Sequence, residues 1–157
     1  MKEIKFLLNG RETGVAVHPL KRLIDVLRED LSQKGVKEGC GEGECGACSV
    51  LKDGMVVNSC IIPAGMIEGC SIETPEGVRE TKQGECIVNA FEETGGVQCG
   101  FCTPGMVIAA EALLRANPSP SRKEVKEGLS GNLCRCTGYE MIVKGVLLAA
   151  ERGRGLW

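Results

Sequence analysis

The stretch Cys40-Gly-Glu-Gly-Glu-Cys45-Gly-Ala-Cys48 places three cysteines in a glycine-rich segment, and Cys60 follows after eleven more residues. Gaps of four and then two residues, with a distant fourth cysteine, are the plant-type ligand spacing of a [2Fe–2S] cluster. The glycines permit positive φ angles and let backbone N–H groups approach sulfur closely. We therefore predict that these four cysteines bind a [2Fe–2S] cluster. Zinc is the alternative because four thiolates also satisfy tetrahedral Zn²⁺, although the four-residue gap suits a larger inorganic core.

A second set of four cysteines lies in the strings Gln98-Cys-Gly-Phe-Cys-Thr-Pro-Gly-Met106 and Gly131-Asn-Leu-Cys-Arg-Cys-Thr-Gly-Tyr139. The set consists of a CxxC pair and a CxC pair: Cys99 and Cys102, then Cys134 and Cys136. Each pair comes just before a predicted apolar helix, so two helix N-termini would face one anionic cluster. A thioredoxin-like dithiol is the alternative, but no βαβ unit precedes the CxxC and the CxC would have no role. Two clusters in series indicate an electron relay.

The other two cysteines, Cys70 and Cys86, fit neither set, and we interpret them as small apolar packing residues. Disulfides do not persist in the cytosol, where cysteine-rich proteins usually hold thiolates for metal. The N-terminus lacks the apolar core and cleavage site of a secretory signal. No apolar run approaches the length of a membrane span. These features predict a cytoplasmic location.

The composition of the chain argues against several functions. Aromatic residues make up only 3% of the sequence, so no stacking platform for single-stranded nucleic acid is expected. The 19 basic and 21 acidic residues are interspersed, and no phosphate-binding stripe emerges. We predict no nucleic-acid partner. No Ser/His/Asp or paired-acid arrangement emerges either, so the chain lacks the groups to activate a substrate by itself.

The N-terminal half has the pattern of a mixed sheet crossed by one helix. Two hairpins are predicted, with Asn9-Gly10 between apolar runs at 4–8 and 15–17, and Asp53-Gly54 between runs at 49–51 and 55–57. A further strand is predicted at 72–74. After Pro19 one amphipathic helix is predicted from helically spaced apolar residues: Leu20, Leu23, Ile24, Leu27 and Leu31. This pattern predicts a β-grasp, plant-type ferredoxin domain over residues 1–76.

The C-terminal half is predicted to be helical, after a linker at 75–80 that breaks both periodicities. One helix is expected around 87–91, and a second runs from an N-cap at Thr103 to about Ala116. Ser121 and Thr137 each precede a glutamate by three residues, so each predicts a capping box that opens a helix. The second and fourth helices are apolar nearly all round and are expected to form the buried pair. The fold class is therefore α+β, with a four-helix bundle over residues 77–157.

With both motifs taken together, the chain resembles the small iron–sulfur subunit of the molybdenum hydroxylases, the family of xanthine dehydrogenase, carbon monoxide dehydrogenase and aldehyde oxidoreductase. The resemblance extends from the first strand to the fourth helix. All eight motif cysteines agree with the family's ligand positions, whereas Cys70 and Cys86 correspond to no ligand.

The resemblance implies a separate subunit in a hetero-oligomer with a molybdopterin-binding large subunit and a FAD-binding medium subunit. It implies that the first cluster faces the flavin subunit and the second faces the molybdenum subunit. It also implies that Gln98 contacts the molybdopterin cofactor and that Cys136 lies against the pterin amine. Electrons would pass from molybdenum through the pterin and both clusters to FAD or, since some members of the family lack flavin, to another acceptor. The substrate and the final acceptor depend on the partner subunits.

A free-standing ferredoxin with two clusters is the competing hypothesis, and a zinc scaffold without redox activity is a third. A ferredoxin needs exposed clusters to exchange electrons with several acceptors. The apolar helices of the C-terminal half instead predict that the second cluster is buried against a partner.

Overall fold

The computed structural model describes all 157 residues and contains one five-stranded mixed sheet. Its strands are β1 (Lys2–Leu8), β2 (Arg11–Val17), β3 (Ser49–Lys52), β4 (Met55–Asn58) and β5 (Ser71–Glu73). They lie in the order β2-β1-β5-β3-β4, with β1 and β5 parallel and the other neighbours antiparallel. Both predicted hairpins and the further predicted strand are confirmed.

The hairpin turns explain why the sheet could be predicted locally. Asn9 and Gly10 have φ angles of 50° and 76°, and Asp53 and Gly54 have 50° and 82°. Two consecutive residues with positive φ match the right-handed twist of the flanking strands, and Asn-Gly and Asp-Gly adopt this geometry at low cost.

The predicted helix after Pro19 is shorter than expected and changes its winding. It consists of α1 (Leu23–Asp25) followed directly by a π-helical turn over Val26–Asp30. In that turn the N–H of Leu31 bonds to the carbonyl of Val26. Leu20 lies outside the helix and is 72% exposed, so its inclusion in the apolar face was wrong. The apolar face that packs on the sheet is formed by Leu23, Ile24, Val26 and Leu27.

Five helices follow the last strand: α2 (Pro75–Arg79), α3 (Lys82–Glu93), α4 (Thr103–Ala116), α5 (Arg122–Gly128) and α6 (Glu140–Arg152). The short α2 lies where a linker was predicted. Proline at the first helical position has a suitable φ angle, and Val78 is fully buried, so the segment forms a packed turn of helix instead. Gly77 is required here because an added Cβ would overlap the side chain of Asn9.

The predicted helix starts have different outcomes. The capping box of Ser121 and Glu124 is confirmed, since each side chain bonds to the other residue's backbone N–H. Thr103 is the first helical residue of α4, and Cys102, not Thr103, is its N-cap. No capping box forms at Thr137, because α6 begins only after Tyr139, which has a left-handed backbone.

The apolar interior has two clusters of buried residues. One lies between the sheet and α1, and the other lies among α3, α4, α5 and α6. Leu51 of β3 belongs to the helical cluster, so β3 is also packed against α4. The helix α6 packs against α3 and α5. As expected, α4 and α6 bury more residues than the other helices, and both belong to the same apolar core.

Two candidate iron–sulfur centres

The hairpin β3–β4 brings together the residues of the first motif. Cys48 comes just before β3, and Cys60 lies in a short 3₁₀ turn just after β4. Because Ser49 is paired with Asn58, the two cysteines meet at the open end of the hairpin. The backbone and side chain of Ser59 both donate to the carbonyl of Cys48, at 3.3 and 2.8 Å. Both thiols are buried.

The loop that carries Cys40 turns its backbone N–H groups toward sulfur. Glu42 and Glu44 donate to the Cys40 thiol at 3.4 and 3.3 Å. The N–H of Glu42, followed by those of Cys45 and Glu44, lowers the pKa of Cys40 to about 6. This geometry depends on Gly41, Gly43 and Gly46, whose φ angles lie between 70° and 79°. The loop therefore stabilises a thiolate before any metal is considered.

The four thiols of the first motif form two neighbouring pairs. Cys45 lies close enough to Cys40 to act on its pKa, and Cys48 lies close enough to Cys60 to do the same. Burial, followed by the neighbouring Cys48, raises the pKa of Cys60 to about 12. One pair is thus partly exposed on the loop, and the other is buried under the hairpin.

The second motif is assembled from two segments of the helical part. Cys102 caps α4, and Cys99 lies three residues before it. Burial, followed by the neighbouring Cys134, raises the pKa of Cys102 to about 12. Contact with Cys99 likewise raises the pKa of Cys136. The four thiols again form two pairs, an inner pair of Cys102 with Cys134 and an exposed outer pair of Cys99 with Cys136.

Polar groups that were not predicted from the sequence hold the CxC segment. The hydroxyl of Thr137 lies 3.1 Å from the sulfur of Cys134, and the N–H of Cys134 donates to the Tyr139 hydroxyl at 3.0 Å. Burial acts to raise the pKa of Cys134, but the bonds from Thr137 outweigh it and the pKa is lowered. Tyr139 has a φ angle of 69°, which is unusual for a bulky residue and is often found at functional sites. Because Tyr139 is the N-cap of α6, only α4 begins directly at a cysteine, and the expectation that both helices start just after a cysteine pair holds for α4 alone.

The donor set of each motif fits a [2Fe–2S] cluster. No three Cys, His, Asp or Glu side chains converge on a point that would suit one metal ion. A two-iron core takes two protein ligands on each iron, so its thiolates need not converge. The grouping of each motif into two pairs agrees with that requirement, whereas tetrahedral Zn²⁺ needs four ligands around one position.

The two motifs lie next to each other in the fold. Cys45 of the first motif and all four cysteines of the second line a common cavity of about 330 Å³, together with Phe101 and Leu133. The N–H of Leu133 donates to the carbonyl of Cys45 at 2.9 Å. The two sets of thiols are therefore neighbours in the fold.

The remaining predicted residues lie as follows. Gln98 is exposed beside the outer pair of the second motif. Cys70 and Cys86 join neither set of thiols, and Cys86 packs with its sulfur 3.6 Å from the carbonyl of Ala149. No helix of the structure has the length and apolar character required to cross a membrane.

Comparison with known proteins agrees with this geometry. A family model described as "2Fe-2S iron-sulfur cluster binding domain" matches residues 6–73, and one described as "[2Fe-2S] binding domain" matches residues 74–147. The nicotinate dehydrogenase small FeS subunit of Eubacterium barkeri is 48% identical over 149 residues, which cover 95% of each chain. The chain belongs to the small iron–sulfur subunits of the molybdenum hydroxylase family.

Two other members of this family extend the comparison. The xanthine dehydrogenase iron-sulfur-binding subunit of Escherichia coli is 44% identical over 151 residues, covering 92% of this chain and 91% of that one. A crystal structure of quinoline 2-oxidoreductase from Pseudomonas putida 86 superposes with a TM-score of 0.91 at 43% identity, covering 98% and 96% of the two chains. This molybdenum hydroxylase subunit therefore has two [2Fe–2S]-binding domains and serves electron transfer in an oxidoreductase.

Proposed function

We propose that the eight motif cysteines are the ligands of the two clusters. The first cluster would be held by Cys40, Cys45, Cys48 and Cys60, and the second by Cys99, Cys102, Cys134 and Cys136. The observation that supports this assignment is the grouping of each set of thiols into two neighbouring pairs. When bound, each cluster supplies a one-electron carrier. The chain's own contribution is to hold thiolates, to donate N–H groups to sulfur and to keep the two sets close together.

We also propose that the clusters belong to two domains, a β-grasp domain over residues 1–76 and a four-helix domain over residues 77–157. Support comes from the two separate clusters of buried apolar residues, one under the sheet and one among the helices. The short helix α2 spans the proposed boundary and packs against both β5 and α3. It would act as a rigid joint that fixes one cluster site relative to the other.

The molybdopterin-binding subunit is proposed to bind the face that surrounds the outer thiol pair of the second centre. Cys99 and Cys136 are exposed there, and so is Gln98. Large apolar side chains that are more than a third exposed surround them: Val97, Phe101, Leu133, Tyr139 and Met141. An exposed apolar patch of this kind is typical of a protein interface. Gln98 and Cys136 would then lie against the molybdopterin cofactor.

A FAD-binding subunit is proposed to bind near the first centre. Ile61 follows the ligand Cys60 and is 58% exposed, with Leu20 and Met66 exposed in neighbouring segments. Ile61 also covers Gly43 of the cysteine loop, where an added Cβ would lie 2.9 Å from its terminal methyl group. A partner on this surface would receive electrons near the loop.

Since all ten cysteines are free thiols, we infer that the complex works in the cytoplasm, where thiolates are maintained.

The proposal is tested by the cofactor content of the native complex. The chain would be tagged in its host, purified without oxygen, and assayed for iron, molybdenum and flavin per copy. We expect about four irons and one molybdenum per chain, with flavin in addition where the medium subunit is present. Iron without molybdenum or a retained partner would contradict the proposal and favour a free-standing ferredoxin. Zinc in place of iron would contradict both.

A further inference from the structure

The two cysteine loops touch through a buried carboxamide that has no role in the ligand assignment. Asn132 lies two residues before Cys134 and is 5% exposed. Its Nδ2 donates to the carbonyl of Gly46 at 3.0 Å and lies 3.3 Å from the hydroxyl of Ser49. That hydroxyl, which is also buried, donates to the same Gly46 carbonyl at 2.7 Å. Two side chains from different parts of the fold thus bind one carbonyl.

The backbones at this contact are too close to admit another side chain. An added Cβ on Gly46 would overlap the carbonyl oxygen of Gly131, and one on Gly105 of α4 would overlap the carbonyl oxygen of Gly46. Gly46 also has a φ angle of 70°, which favours glycine. The loop of the first motif is therefore pressed directly between α4 and the CxC segment. Such close approach serves to fix the relative position of two backbones.

A backbone hydrogen bond lies directly beside the contact of Asn132 with Gly46. Gly46 is the residue after Cys45, and Leu133 is the residue after Asn132. The N–H of Leu133 donates to the carbonyl of Cys45 at 2.9 Å. Cys45 and Cys134 are consequently connected by a short run of covalent bonds and one hydrogen bond. The carboxamide of Asn132 binds the carbonyl of Gly46, which is the next carbonyl along the first loop after that of Cys45. It therefore adds a second bond beside the one between Leu133 and Cys45 and keeps the two loops aligned.

We infer that Asn132 is a positioning residue for electron transfer between the two centres. It fixes the Cys45–Gly46 segment against Leu133 and thereby sets the separation and electronic coupling of the two thiolate sets. In the step that it supports, one electron leaves the centre that includes Cys134 and enters the centre that includes Cys45. No covalent bond forms or breaks, and no proton moves. The inference rests on the proposed ligand assignment.

The test uses the native complex with Asn132→Ala in the chain. Both centres are reduced with dithionite, and low-temperature EPR records the magnetic splitting between them, which depends on their separation and orientation. Freeze-quenching after substrate addition then measures how fast the first centre is reduced after the second. Gly131→Ala is the matched control, because an added Cβ there meets nothing within 4 Å. Ser49→Ala is a second variant: it removes the hydroxyl that donates to Gly46 and accepts from Asn132, but it leaves the bond between Asn132 and Gly46 in place.

We expect Asn132→Ala to keep the iron content of the native complex, to lose the magnetic splitting and to slow reduction of the first centre but not of the second. Ser49→Ala is expected to weaken the splitting, and Gly131→Ala to leave it unchanged. Unchanged splitting and transfer rate in Asn132→Ala would overturn the inference. If Asn132→Ala fails to assemble, an unchanged splitting in Ser49→Ala would overturn it. Failure of the proposed function would be recognised separately, because the unsubstituted chain itself would then lack iron or a molybdenum partner.

Discussion

Arg115 of α4 binds both carboxylate oxygens of Glu73 in β5, with each nitrogen–oxygen distance at 2.7 Å. Its remaining nitrogen, Nε, donates to Glu111 at 2.7 Å, and Glu111 is only 1% exposed. The other oxygen of Glu111 accepts from the indole of Trp157 at 3.0 Å. The guanidinium of Arg115 therefore joins the sheet to α4, and it is also linked to Trp157 through Glu111.

Replacement of Arg115 by methionine is predicted to destabilise the chain. The change leaves the buried carboxylate of Glu111 without a cation, and removing one partner of a buried pair costs about 3–5 kcal/mol. Because the Arg115 side chain is 35% exposed, water screens part of this loss, and we expect about 2–3 kcal/mol. Urea unfolding followed by circular dichroism would measure it. Lys123→Met is the control, since Lys123 pairs with Glu127 only at 3.8 Å on the surface. Equal effects of the two changes would refute this interpretation.

Gly105→Ala is predicted to reverse the usual effect of this substitution in a helix. In a helix interior, alanine is normally favoured over glycine by about 1 kcal/mol. Here the added Cβ would overlap the carbonyl oxygen of Gly46, so the loop of the first motif would have to move away from α4. Overpacking of this kind costs about 1–3 kcal/mol. Thermal unfolding of the iron-loaded chain would measure the loss, and a gain in stability would contradict the close contact.

Single ligand substitutions are predicted to remove the centres one at a time. Cys48→Ser and Cys102→Ser should each lower the iron content from about four to about two per chain, because each cluster holds two irons. The EPR signal of the other centre should persist in each variant. Cys70→Ser is the control and should retain about four irons, since Cys70 lies outside both sets. Loss of both centres in either ligand variant would argue against independent cluster domains.

Gln98→Ala is predicted to act on electron entry and not on assembly. Gln98 is exposed next to the outer thiol pair and makes no hydrogen bond to another residue of this chain, so both clusters should still form. In the complex, single-turnover reduction of the second centre by substrate should become slower. Gln83→Ala is a suitable control because Gln83 lies at the N-terminal end of α3, the end farther along the chain from Cys99, where it donates to the carbonyl of Leu156. An unchanged rate in Gln98→Ala would mean that the proposed contact with the pterin is absent or irrelevant.

The capping box at α5 predicts a specific dependence of stability on pH. The hydroxyl and backbone N–H of Ser121 hold the pKa of Glu124 below its ordinary value of 4.5. Folding therefore favours the charged carboxylate, so its stabilisation is present above pH 4.5 and is lost as the pH falls through the lowered pKa. The difference in urea midpoint between the unsubstituted chain and Glu124→Gln should shrink from about pH 7 to about pH 4. Glu127→Gln, which changes a carboxylate of the same helix outside the capping box, is the control variant.

The comparison of Ser121 with Thr137 shows how far local sequence reasoning extends. Both residues precede a glutamate by three positions, but only Ser121 forms a capping box. The hydroxyl of Thr137 is bound instead to the sulfur of Cys134 and to the N–H of Tyr139. The same local pattern therefore serves a helix end in one place and a cysteine loop in the other. Which use prevails depends on a sulfur brought near by the tertiary fold.

Local patterns in the sequence were enough to predict the hairpins, the main helices and the two sets of thiols, because turn residues, apolar periodicity and cysteine spacing act over short distances. Asn9-Gly10 and Asp53-Gly54 need no distant partner to form their turns. Three features became visible only in the folded chain: the thiols group in pairs, α2 replaces a linker, and Asn132 meets Gly46 across 86 positions of the chain. Such contacts depend on how two separately formed cores pack together. No local pattern encodes that arrangement, since it arises from the burial of both segments at once.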